Sequence, residues 1–146
     1  MDDMHGLRIW DSARELTKVV IGIANRNRRP DPAKIFPQLC RAANAVGASI
    51  AEGMGSATTG ERLRSLRNAS REASETRDHI RAAFDAGLIA QPPYKWLANR
   101  AAINVRMISS LIATLERDFN KSFTSQPKPN LKRKRTGKPR RRRPEG

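Results

Sequence analysis

The chain is poor in the residues from which reactive centres are most often built. Its 146 residues include one cysteine, Cys40, and two histidines, His5 and His79. A lone cysteine excludes an intrachain disulfide framework and fits a reducing compartment. Together with two histidines it leaves too few donors for a structural zinc site. Aromatic residues make up only 5% of the chain, so a core must be assembled from Ala, Leu, Ile and Val. No apolar run approaches the roughly 20 residues that a membrane-spanning helix needs. The stretch from Met1 to Ile9 carries acids and a histidine where a secretory leader would be apolar. The reading is a cytoplasmic protein with no membrane partner. The patterns G-x-x-x-x-G-K-[ST], H-E-x-x-H, C-x-x-C and G-x-S-x-G are all missing. An enzyme is therefore not expected, nor is a cofactor or a metal.

What the chain has in excess is positive charge. It carries 29 Lys and Arg against 14 Asp and Glu, a formal net charge of +15. Such a balance points to a polyanionic partner, RNA and/or DNA. The charge is unevenly placed. Residues 121–146 hold 11 basic residues and one acid, a net +10, while residues 1–120 hold 18 basic and 13 acidic ones, a net +5. The last segment also holds Pro127, Pro129, Pro139 and Pro144, and after Phe123 its only aliphatic side chain is Leu131. It cannot bury enough apolar surface to offset the entropy of ordering, so residues 121–146 are expected to be a disordered basic tail.

Glycine and proline divide residues 1–120 into four segments with helical periodicity. The first runs from about Ile9 to Asn27 on the stripe Trp10, Ala13, Leu16, Val20 and Ile23, with Asp11 and Glu15 placed early and Arg26, Arg28 and Arg29 late, as the helix dipole favours. The second runs from Ala33 or Phe36 to Gly53–Gly55 and is small-sided: Ala42, Ala43, Ala45, Gly47, Ala48 and Ala51 invite close approach of another helix. Gly53 and Gly55 are candidate C-caps. Thr58-Thr59-Gly60-Glu61 opens the third with a capping box, and Gly87 stops it. Gln91-Pro92-Pro93 opens the fourth, proline suiting a first turn. Its stripe runs from Tyr94 to Phe119, and Ile103, Met107 and Leu111 widen it to more than one face. Four helices and short loops predict an all-α, antiparallel up-down-up-down four-helix bundle.

Several residues stand out within this frame. Arg64, Arg67 and Arg71 follow i, i+3, i+7 spacing and share one helix face. They are either a phosphate-contacting stripe or a solvated face with local ion pairs. In the tail, Lys132, Arg133, Lys134 and Arg135 form one basic cluster and Arg140, Arg141, Arg142 and Arg143 another, joined across Lys138. Such arms bind phosphate backbones by releasing counterions, largely without sequence preference. A solubilising role or a patch for anionic lipid is the ordinary alternative. Glu52, between Ala51 and Gly53, would need an arginine from another helix or subunit if buried, and a structural pair is favoured over catalysis. Cys40 sits among apolar neighbours and reads as a packed residue. His79 beside Asp78 reads as solvated.

The residues Leu7-x-Ile9-Trp10-x-x-Ala13-x-x-Leu16, then Gln38-x-x-Arg41-Ala42-Ala43 with Ile50-Ala51-Glu52-Gly53, form a recognisable set. With Leu66-x-x-Ala69 and Glu75, Ala86-Gly87-Leu88-Ile89, Tyr94-x-x-Leu97 and Arg106-Met107-Ile108-x-x-Leu111-Ile112, the pattern resembles the bacterial 23S ribosomal RNA intervening-sequence protein family. The resemblance covers about residues 7–115. The chain departs from it at Ala45-Val46-Gly47-Ala48-Ser49, where the family usually has Ser-Ile-Pro-Ser-Asn, and at Arg71-Glu72, where it usually has Gly-Ser. The resemblance marks Trp10, Arg41, Glu52 and Gly53 as motif residues and implies a four-helix bundle forming a ring-like homopentamer. A related basic bundle, the accessory protein of diversity-generating retroelements, works with a reverse transcriptase and binds nucleic acid. The function expected is a non-enzymatic, oligomeric nucleic-acid-binding scaffold. The competing expectation is a protein-interaction ring that docks an acidic partner protein.

Overall fold

The computed structural model describes residues 3–124. They form four helices, α1 (Asp3–Arg26), α2 (Ile35–Gly55), α3 (Thr59–Asp85) and α4 (Gln91–Thr124), and among the described residues there is no strand. Each helix packs on the next and α4 closes against α1, with α2–α3 the tightest seam and α1–α4 the most open. This is the expected antiparallel bundle. The tail clusters, from Lys132 to Arg143, lie outside the described residues.

The core follows the predicted stripes. Leu39, Ile50, Leu66, Ile80, Leu97 and Ile108 are fully buried, each contributing about 1.5–3 kcal/mol relative to exposure. At mid-height each helix supplies one alanine to a single layer: Ala13, Ala43, Ala73 and Ala101. Polar side chains adjoin this layer, each with a partner. Thr17 Oγ1 donates to the Ala13 or Ala43 carbonyl at 2.9 and 3.0 Å. Thr76 Oγ1 donates to the Glu72 carbonyl at 2.8 Å, and Ser12 Oγ donates to Asn104 Oδ1. The last of these bonds joins α1 to α4 across their seam.

The ends of the helices differ in part from expectation. Thr58 caps α3 as predicted, its hydroxyl accepting from the Glu61 amide at 3.1 Å. Gly87 also acts as predicted. It adopts φ +75°, and the Gly87 and Leu88 amides donate to the Phe84 and Ala83 carbonyls at 3.0 and 2.9 Å, a Schellman termination. By contrast, α1 starts at Asp3 rather than Ile9. Gly6 is buried within this added turn. Asp11 and Glu15 are therefore not in the first turn, and Glu15 instead pairs with Arg100 of α4 at 3.1 Å. Gly53 and Gly55 are not C-caps either. Both lie within α2, and the cap is Ser56 in an extended conformation. A Cβ at Gly53 would lie 3.4 Å from Ser65 Cβ and 3.6 Å from the Arg62 carbonyl oxygen, so this glycine serves the α2–α3 crossing.

Candidate nucleic-acid interface

The α3 arginines fall on one outward face, as their spacing requires, and all three are exposed. Arg67 Nη2 pairs with Glu116 Oε1 of α4 at 2.9 Å, with both side chains about half exposed (58% and 45%). Arg71 Nη2 donates to Asn68 Oδ1 at 3.3 Å. Arg64 borders a shallow pocket shared with Glu52, Glu61 and Asn68. The face is thus a solvated one with local partners, and each guanidinium retains further N–H donors for a phosphate. Arg81 is engaged differently: its Nε donates to Asp85 Oδ1 at 3.1 Å and its Nη1 to Tyr94 Oη at 3.3 Å. Tyr94 in turn stacks on Phe84, ring centroids 4.0 Å apart.

The motif residues separate by role. Trp10 is half-buried beside Gly47, with the Arg14 guanidinium 5.9 Å from its ring centroid. Arg41 is exposed on α2. Glu52 is exposed as well, and among the described residues its carboxylate has no ion pair. The carboxylate that burial does leave without a partner is that of Glu72, whose Oε2 is shielded from solvent and accepts no hydrogen bond. Glu72 was not singled out from the sequence. It reads as an ordinary polar residue of α3, and only the packing removes its oxygen from water. Burial pushes the Cys40 thiol up from its ordinary value, in keeping with a packed residue.

Two further features emerge from the tertiary structure. At the open α1–α4 seam an apolar groove of about 400 Å³ runs over Ile9, Met107 and Leu111, rimmed by Arg8 and Arg106. At the opposite end of the bundle, Arg26, Arg28 and Arg29 converge around a cleft between the α1–α2 and α3–α4 loops. In sequence those arginines read only as charges complementing the α1 dipole. Among the described residues, no group of His, Cys, Asp and Glu side chains is arranged to hold a metal ion. No helix among them is long and apolar enough to cross a membrane.

A family model described as 23S rRNA-intervening sequence protein matches residues 5–110, most of the chain. The chain belongs to that family. A solved structure from Bacteroides thetaiotaomicron is similar to this intervening-sequence-family bundle, with a TM-score of 0.68 over 75% of this chain and 98% of that one. It is described as a protein with unknown function from the S23 ribosomal protein family. The two sequences are 18% identical, so the likeness shows the shared fold. No curated protein matches the sequence. Within the family frame, the Ile50-Ala51-Glu52-Gly53 motif acquires a physical meaning: Ile50 is core, Gly53 is the crossing point, and Glu52 faces solvent.

Proposed function

We propose that this chain is a non-enzymatic, oligomeric scaffold that binds nucleic acid through arginine-rich surfaces and its basic tail. The observation that carries the reading is the placement of charge, a net +10 in residues 121–146 against +5 in residues 1–120. The family's connection with ribosomal RNA supports RNA as a partner. DNA is a partner by the same phosphate chemistry, because the tail has no aromatic residues among its clusters to select bases. In the finer reading the chain acts as an RNA-associated intervening-sequence protein or as the accessory protein of a reverse transcriptase of the diversity-generating retroelement type. Assembly into a homopentameric ring would multiply the Arg64, Arg67 and Arg71 face and the tails around one axis.

A salt titration tests the reading. Labelled RNA and DNA of one sequence should bind the full chain with similar affinity, and binding should fall steeply with salt. Replacing the basic residues from Lys132 to Arg143 with glutamine should lower both the affinity and the salt slope, and an unchanged slope overturns the tail's role. Light scattering should give the mass of a pentamer, and a monomer at about micromolar concentration overturns the ring. The groove rimmed by Arg8 and Arg106 favours a second reading, in which an acidic, partly apolar protein segment docks on the bundle. Loss of an acidic protein partner on Arg8→Glu, with nucleic-acid binding intact, would select it.

A further inference from the structure

The loop end of the bundle holds a cluster that neither the tail nor the α3 face accounts for. Arg26, Arg28 and Arg29 surround a cleft of about 340 Å³ whose apolar floor is formed by Ile23 and Leu88, with Ala90 at its edge. All three arginines are exposed, and among the described residues none of them pairs with a carboxylate. The acids close in sequence are already occupied. Asp31 uses both oxygens to accept from the Ile35 and Phe36 amides at 2.9 and 3.0 Å, and Asp85 is bound to Arg81.

The cluster is held in place by the backbone around it. The Asn27 side chain brackets the next turn, Nδ2 donating to the Arg29 carbonyl at 2.9 Å and Oδ1 accepting from the Arg29 amide at 3.2 Å. Arg28 Nη1 reaches the Asn25 and Asn27 carbonyls at 3.5 and 3.4 Å. Arg29 Nη1 donates to the Gly87 carbonyl and so ties the two loops together. In these bonds Arg28 and Arg29 use one guanidinium nitrogen each, leaving planar N–H pairs of the kind that grip phosphate oxygens. Ala90 directly precedes α4 and lies at the edge of the cleft, which places the positive end of that helix dipole beside it.

We propose that this cleft is a phosphate-binding site that seats one backbone phosphate of a single-stranded nucleic acid, with the attached nucleoside against Ile23, Leu88 and Ala90. The proposal rests on the nucleic-acid-binding reading and adds a specific contact at the end of the bundle opposite the root of the tail. Duplex is disfavoured, since its stacked bases cannot turn onto the apolar floor. Arg29 has a second duty in holding Gly87, so Arg26 and Arg28 are the residues to change.

The test uses the full chain. Arg26→Gln with Arg28→Gln is compared with Arg77→Gln and Arg117→Gln, which removes the same charge elsewhere. A short labelled oligouridylate should bind the cleft variant about tenfold more weakly, with the salt slope reduced by roughly one. The control should change affinity by less than about twofold. Equal losses in the two variants overturn the cleft. Independently, adenosine 5′-monophosphate added to the full chain should give saturable NMR shifts at the Arg28 and Arg29 side-chain N–H groups and the Leu88 amide, and their absence also overturns it. If inorganic phosphate reproduces the arginine shifts but leaves Leu88 unmoved, the anion and nucleoside parts are resolved as proposed; Leu88 shifts with phosphate alone overturn the nucleoside contact. If the chain binds no oligonucleotide yet shows the nucleotide shifts, the scaffold reading and the single-strand contact both fail and the cleft is a mononucleotide site instead.

Discussion

Gly53 of α2 lies directly against Ser65 of α3, so close that a Cβ on the glycine would sit 3.4 Å from the serine Cβ. The contact sets the separation of the tightest seam in the bundle. Alanine fits here at ordinary van der Waals distance and recovers helix propensity, whereas a larger side chain must push α3 away. Gly53→Ala should change stability by less than about 1 kcal/mol, and Gly53→Leu should cost about 1–3 kcal/mol through overpacking. Urea denaturation of the two variants checks both.

Gly47 makes the opposite case. A Cβ there meets the Arg14 Cδ at 3.4 Å and Trp10 Nε1 at 3.9 Å. The nearer neighbour is a flexible side chain that can move. Gly47→Ala should therefore stabilise the protein by about 0.5–1 kcal/mol, the helix-propensity difference. A lowered melting temperature would show that the Arg14 and Trp10 packing cannot yield.

Ser12 and Asn104 form a buried bond between helices 92 residues apart in their contact positions. Asn104→Leu leaves the serine hydroxyl without this acceptor and should cost about 1–3 kcal/mol. Adding Ser12→Ala should return part of that loss. A double-mutant cycle by chemical denaturation should give a coupling of about 0.5–1.5 kcal/mol.

The raised Cys40 thiol follows from burial, which disfavours the thiolate. In the unfolded chain the thiol ionises at its lower, ordinary value. Its contribution to stability is therefore complete below that value and is lost as pH rises through the raised one. At about pH 8 alkylation of the native protein should be slower than that of a small free thiol, and unfolding in urea should restore the ordinary rate. Mass spectrometry of timed iodoacetamide reactions checks this.

The α3 face separates binding from stability. Its Arg67–Glu116 pair is solvent-exposed, and such pairs contribute about 0–1 kcal/mol. Replacing Arg64, Arg67 and Arg71 with glutamine should leave the melting temperature nearly unchanged while weakening RNA binding several-fold. Unchanged RNA affinity would make the face merely solvated.

Much of the bundle was legible because helical periodicity and loop punctuation agree along the chain. Ala13, Leu16 and Val20 occupy the core that their spacing predicts, as does Ile108 within the fourth stripe. Gly87 announced its own turn, since only glycine takes φ +75° without penalty. Gly53 and Gly55 were harder. A glycine can end a helix or bring two helices together, and local sequence does not distinguish these uses. The same limit applied to charge. Arg64, Arg67 and Arg71 were placed on one face by spacing, but Glu116, the partner of Arg67 on α4, lies far away in sequence. Glu72 gave no signal, because its burial depends on packing rather than on the residues beside it.

The sequence by itself determined the four-helix class, the order of the helices and the concentration of positive charge in residues 121–146. Those properties follow from local periodicity and composition. Only the tertiary structure decided that Gly53 is a crossing point, that Glu72 holds an unbonded buried oxygen, and that Arg26, Arg28 and Arg29 share a cleft with Leu88. Each depends on residues from different helices or loops brought together by core burial, and the distances between such residues are set by how the helices pack.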